Sequence, residues 1–167
     1  MPTLIHCTKK LLAELPSSLI DQVATGESWH ANVLRIDRRK CVLFTHDATL
    51  YSVFVPGLRK PDFALLDQMF GQRLFKALLW EGFPQHLIER ALEACRTVRF
   101  TRSSSRSVLG SMNDIRFQIE VHVAHASGLT QVDLVDLHQR LNRTLLNAVR
   151  YQYPVDGFRE HLTQIDD

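Results

Sequence analysis

The stretch Trp29–Lys60, WHANVLRIDRRKCVLFTHDATLYSVFVPGLRK, decides the fold. It contains three strand-like runs, Asn32–Ile36, Lys40–His46 and Leu50–Val55, separated by Asp37-Arg38-Arg39 and Asp47-Ala48-Thr49. Connections this short and polar suit antiparallel hairpins, so the segment reads as a three-stranded meander. Within the middle run, Cys41, Val42, Leu43 and Phe44 are apolar on both alternating faces. A strand of that kind is covered on both sides, so helices must pack against at least one face of the sheet.

Those helices are readable on the C-terminal side of the meander. Pro61-Asp62 opens one, and Phe63, Leu66, Phe70, Leu74 and Leu78 recur at helical spacing down to Trp80. Gly82 ends it, and Pro84 suits the first turn of the next, whose stripe is Leu87, Ile88, Ala91 and Leu92. Thr97–Thr101 reads as a further strand, with Val98 and Phe100 on one face and Arg99 on the other. A long helix then spans about Ser107 to His125, on the period of Val108, Met112, Ile115, Ile119 and Val123. Thr130 and Asp133 have capping-box spacing ahead of Leu134, Leu137 and Leu141. A last helix follows Tyr151-Gln152-Tyr153-Pro154.

On the N-terminal side, Thr3–His6 reads as a short or edge strand turning into a short helix capped by Thr8. The softer region Pro16–Ser28 reads as a helix turn and loop, too short for an interdomain linker. The expected class is α+β: a small antiparallel sheet, the meander plus one or two further strands, packed against several helices in a single domain over residues 1–167.

Composition limits the function classes. A chain of 167 residues, 45% hydrophobic and 23% charged, buries a sizeable core without staples. Its net charge of +2 excludes a polycation, so any attraction for nucleic acid must come from local clustering. Cys7, Cys41 and Cys95 are odd in number and widely spaced, against a disulfide framework and for a reducing cytoplasm. No run approaches a membrane span, so no membrane association is expected.

Local clusters of cations do exist. From Arg96 to Asn113 there are four arginines and no acid, with Ser103–Ser105 ahead of Arg106-Ser107 at the start of the long helix. Free N–H groups, hydroxyls and an arginine there suit a phosphate, while the plain alternative is a serine-rich cap with solvated arginines. Gly110 costs helix stability and suggests close approach of a backbone or ligand. Asn113 falls between Leu109 and Phe117 and reads as a buried amide that pins a loop or touches a ligand. Ser111 and Asp114 read as plain surface. At the other end, Trp29-His30 beside the Arg38-Arg39-Lys40 turn suits a stacked ring with its phosphate held by cations. The plainer alternative is a core tryptophan and a solvated turn that blunts an edge.

Metal and nucleophile readings are weaker. His6-Cys7 with Cys41 and His46 could supply zinc ligands, but neighbours on a strand point to opposite faces and no paired spacing is present. Cys7 as a nucleophile beside Lys9 or Lys10 competes with its more frequent fate as a small buried hydrophobe. No metal and no cofactor is expected.

Several longer motifs are collinear: HCTKKL near the start, WHAN…RRKCVLF in the hairpin, PGLRKPDF before the first long helix, RSVLGSMND, RLNRT and the terminal YxYP. In these the chain resembles an uncharacterised family of small bacterial and archaeal proteins, a domain of unknown function, over nearly its whole length. The resemblance carries no activity, cofactor or catalytic residue. It implies a shared pattern of His6, Lys9, Trp29, His30, Asn32, Arg39, Lys40, Arg106, Ser107, Ser111, Asn113 and Asp114, to which the turn adds Arg38.

The residues therefore point first to a binding or regulatory module for an anionic small molecule, nucleotide or nucleic acid. The alternative is an enzyme acting on a phosphate or acyl bond, with His30 or His6 as acid/base and Arg39 or Arg106 holding charge. A homo-oligomer is compatible with either. Whether the wall formed by the hairpin meets a wall from Arg106 to Asp114 is the structural question.

Overall fold

The computed structural model describes residues 2–16, 26–103, 105–146 and 152–165. Among these, β1 (Thr3–Cys7), β2 (Ser28–Ile36), β3 (Arg39–His46), β4 (Ser52–Leu58) and β5 (Val98–Arg102) form one sheet in the order β4-β3-β2-β1-β5. The helices are α1 (Lys9–Leu12), α2 (Leu66–Trp80), α3 (Gln85–Ala94), α4 (Arg106–His125), α5 (Leu134–Leu141) and α6 (Pro154–Gln164). The class is α+β, as the sequence indicates. The β2-β3-β4 meander is antiparallel, but β1 runs parallel to both β2 and β5, so the sheet is mixed. The long connections before β2 and β5 permit such crossovers, which a hairpin turn cannot.

Turn chemistry sets the meander's register. Asp37 and Arg38 carry φ values of 50° and 62°, the left-handed pair that a two-residue hairpin loop requires. Aspartate tolerates that conformation, and the Asp37 carboxylate accepts the Leu129 N–H at 2.6 Å, which ties the turn to the chain after α4. In β4 the register slips between Lys40↔Leu58 and Val42↔Val55, which leaves one extra residue around Pro56-Gly57. Gly57 at φ 67° provides the bulge, and an edge strand accommodates Pro56.

Both faces of β3 are covered, which accounts for its unbroken apolar run. On the first face Val42 and Phe44 pack with Ile5, Trp29, Val53 and the stripes of α2, α3 and α6, including Phe70, Leu87 and Phe158. On the second face Cys41 and Leu43 pack with Leu34, Phe54 and α4 and α5, through Met112, Ile115, Ile119 and Leu137. Thr8 caps α1 and Ser105 caps α4, its hydroxyl accepting the Val108 N–H. The cap of α5 is Asp133 alone, which accepts from Val135 and Asp136. Thr130 sits in a preceding 3-10 turn, so the expected capping box is replaced by a single-residue cap. Most of the Pro16–Ser28 expectation, and Tyr151, lie outside the described residues.

The β4 edge is sealed by side chains from the C-terminal part of α5. The Asn142 amide accepts the Ser52 N–H at 2.7 Å and donates to the Ser52 carbonyl at 2.9 Å, as a neighbouring strand would. Two residues on, Nε2 of His138 accepts the Phe54 N–H at 3.0 Å, while its Nδ1–H donates to the Leu134 carbonyl at 2.7 Å. Burial pushes the His138 pKa down from 6.5 to about 4, which keeps the ring neutral and Nε2 an acceptor.

Candidate functional site

β2 is the axis of every candidate feature. Its odd-numbered residues turn N–H and C=O towards β1, as shown by Leu4 N–H donating to the Glu27 carbonyl and Thr8 N–H donating to that of Ala31. β1 ends at Cys7, opposite Ala31. Beyond that point Val33 and Arg35 present their backbone groups outward into a groove of about 420 Å³. Lys10 from α1, Glu14 just after it, Lys40 from β3 and Arg116 from α4 line it, together with Ala13, Val33 and Leu34.

The charge in this groove is concentrated. Arg35 and Lys40 are direct cross-strand partners, a like-charge pairing that is locally unfavourable. Glu14 offsets Lys40 through a 2.5 Å contact, and Glu120 pairs with Arg116 at 2.9 Å. Among the described residues neither Arg35 nor Lys10 has an ion-pair partner. The cations thus surround a stretch of open strand edge and exceed the acids near it.

The hairpin and α4 do meet here, but further along the helix than the sequence suggests. Arg106 and Ser107 are exposed in the first turn of α4, and Ser105 already uses its hydroxyl as the cap. Gly110 is exposed, and a Cβ built there meets nothing within 4 Å, so no close approach explains it. Asn113 is exposed rather than buried, as is Phe117, because the buried stripe of α4 runs through Val108, Ser111, Met112 and Ile115. Ser111 therefore lies inside and only Asp114 is plain surface. Asn113 lies outside the groove lining, to which α4 contributes Arg116.

The other expected residues divide between the two faces. Trp29 is fully buried on the first face, with edge contacts to Phe70, Phe158 and His46, so it cannot stack a ligand. An odd position on β2 points into that core. Asn32, on the second face, accepts from the Thr8 hydroxyl at 2.7 Å and fixes the β1–α1 corner. Lys9, Arg38 and Arg39 are exposed and stand outside the groove lining, of which Lys40 alone was singled out from sequence. Cys7 and Cys41 belong to opposite cores, which rules out the four-ligand zinc idea. Burial raises the Cys7 thiol to about 12, far from a nucleophile.

His6 and His30 come together, stacked with centroids 4.9 Å apart. His30 Nδ1 lies 2.7 Å from Asp47, which also accepts from Ser28 at 2.6 Å. Burial alone would raise the Asp47 pKa, but these two hydrogen bonds hold it below the ordinary carboxylate range. The far nitrogen, Nε2, is sealed from solvent with no hydrogen-bond partner among the described residues.

A second cluster lies at the start of β2, on the first face. The Glu27 carboxylate is 3.0 Å from His46 Nε2 on one oxygen and 2.6 Å from His161 Nε2 on the other. His46 Nδ1 in turn meets the Thr49 hydroxyl at 2.8 Å. Burial acts to raise the Glu27 pKa, but bonds from His161 and His46 lower it to about 2. The three residues come from the residue before β2, from β3 and from α6, so no spacing rule could have joined them.

With the geometry in place, the comparisons with known proteins add one result. A family model described as a domain of unknown function (DUF6933) matches residues 4–157. The chain belongs to the DUF6933 family. No curated protein and no solved structure matches it. Membership in DUF6933 supports the resemblance carried by the sequence motifs and assigns no chemistry to the groove, to the His30–Asp47 pair or to the Glu27 cluster. Among the described residues of this DUF6933 chain, no helix is long and apolar enough to cross a membrane.

Proposed function

We propose that this DUF6933 chain is a binding protein for a small phosphate-bearing anion of nucleotide size, held in the groove at the open edge of β2. The observation that carries the reading is the unfavourable Arg35–Lys40 pairing beside Lys10 and Arg116, at outward backbone groups of Val33 and Arg35. A bound phosphate offsets the repulsion and accepts the outward N–H groups, and arginine suits phosphate geometry in particular. A groove of about 420 Å³ fits a ligand of that size.

The catalytic alternative through His30 has less support, because general acid–base work requires a ring nitrogen within reach of substrate. His30 Nε2 is enclosed. The test is calorimetric titration of the full chain with ATP and with inorganic pyrophosphate. Arg116→Ala should weaken binding about tenfold, the scale of one charge-assisted hydrogen bond, and Arg35→Glu by more. Affinity should fall as salt rises. Absent binding of both probes, or binding indifferent to salt and to both variants, overturns the reading.

A further inference from the structure

We propose that Glu27, His46 and His161 form a site for a divalent transition-metal ion of the zinc class, at the opposite end of β2 from the groove. Their ligand atoms lie within 4.8 Å of one another: one carboxylate oxygen and two imidazole nitrogens. That is a set of three protein ligands, the number that leaves a fourth position open in tetrahedral sites.

Modest movements assemble the site. Bond lengths of about 2.0–2.1 Å place neighbouring ligand atoms of a tetrahedral ion about 3.3 Å apart. His46 Nε2 lies 3.0 Å from one Glu27 oxygen and His161 Nε2 lies 2.6 Å from the other, so a single ligating oxygen keeps one of these contacts, lengthened by about 0.3 or 0.7 Å, and meets the other nitrogen from within 4.8 Å. The two nitrogens close in from at most 4.8 Å. His161, on α6 and 27% exposed, is placed to make that movement and to leave the fourth position towards solvent. His46 is the fixed member, 2% exposed and wedged edge-on between Trp29 and Phe158.

An ion-pair clamp holding α6 to the sheet is the plain alternative for a carboxylate with two histidines, and a metal site asks in addition for an orienting partner behind His46, which Thr49 provides. The Thr49 hydroxyl already accepts the Tyr51 N–H at 3.3 Å and can either donate to His46 Nδ1 or accept from it. With metal it accepts from Nδ1–H, which leaves the Nε2 lone pair free for the ion. Orienting partners of this type hold metal-ligating histidines in the required tautomer.

The experiment uses the tag-free full chain, stripped with chelator and titrated with cobalt(II) as an optical stand-in, then with zinc in competition. One equivalent should bind with the visible absorption of tetrahedral nitrogen–oxygen coordination, and zinc should displace it. His161→Ala and Glu27→Gln should each weaken binding by more than the about 10- to 100-fold of an outer-shell change. Thr49→Val should fall within that range, and Thr49→Ser should restore affinity. Circular dichroism of each variant separates lost ligation from lost folding, and His161→Gln replaces the alanine variant if it unfolds. No binding, binding unaffected by His161 substitution, or a thiolate-to-cobalt charge-transfer band placing the ion on a cysteine overturns the proposal.

Discussion

His138 makes a quantitative prediction about acid stability. Its Nε2 accepts the Phe54 N–H inside the protein, and burial lowers its pKa from 6.5 to about 4. Protonation would set an N–H donor against an N–H donor on the β4 edge. The unfolded chain therefore binds more protons between the two pKa values, so stability falls as pH drops through that window. The full shift is worth about 3 kcal/mol, and integrating between pH 7 and pH 4.5 places about 2 kcal/mol of the loss in that interval. Urea unfolding of the chain and of His138→Gln at both pH values isolates this contribution, since other titrating groups are common to the two. Glutamine does not titrate, so the variant, less stable at neutral pH, should lose about 2 kcal/mol less on acidification. A stability gap that stays constant within about 0.5 kcal/mol would refute the argument, because the pair would then have no proton linkage through His138.

The exposed Gly110 has open space where a Cβ would sit and lies inside α4, so Gly110→Ala should stabilise by about 1 kcal/mol. For a chain of this size that raises the melting temperature by about 2–4 °C, and a fall on calorimetry would reveal a contact at that position. Burial raises the thiols of Cys7 and Cys95 to about 12, and that of Cys41 is also raised. At pH 8 none of the three should react rapidly with a disulfide reagent until denaturant is added, and one fast native thiol on stopped-flow would contradict their burial.

The elements were legible in the sequence, and the sites mostly were not. Period-2 and period-3.6 patterns reflect burial of each residue's own side chain, so β3, α2, α4 and α6 could be placed to within a few residues. Parallel pairing of β1 leaves no such local mark, because it depends on how the chain returns. The same limit applies to polar residues. Trp29 and His30 look alike as motif members, yet neighbours on a strand face opposite layers, and the layer decides whether each is core or part of a polar pair. Asn113 and Ser111 exchanged their expected burial because Ser111 lies on the stripe of Val108, Met112 and Ile115, whereas Leu109 and Phe117, the neighbours that made Asn113 look buried, lie off it. Lys10, Arg35 and Arg116 come from three elements, and only the tertiary fold shows that they share a groove. Glu27, His46 and His161 are joined in the same way, across 134 positions in the widest hydrogen-bonded pair.

Two lengths of strand edge in this sheet, one along β4 and one at the far end of β2, are treated differently, and the contrast bears on function. At β4 the chain places Asn142 and His138 inside the protein to satisfy Ser52 and Phe54, at the cost of a histidine that resists protonation. At the far end of β2 the described residues supply no such cover; instead Arg35 and Lys40 face each other beside outward backbone groups. Cations on a strand edge also guard against pairing with another chain, and that alone would explain one lysine or arginine. It does not explain Arg116, which reaches the same groove from α4, or a like-charge pair that costs stability. Arg35→Glu separates the two explanations, because glutamate keeps a charge on the edge and relieves Lys40. If the cations are only a guard, the variant keeps the oligomeric state of the parent chain and gains stability, with nothing lost. If they hold an anion, the same gain in stability comes with loss of binding, the signature of a charge arrangement kept for its ligand rather than for the fold.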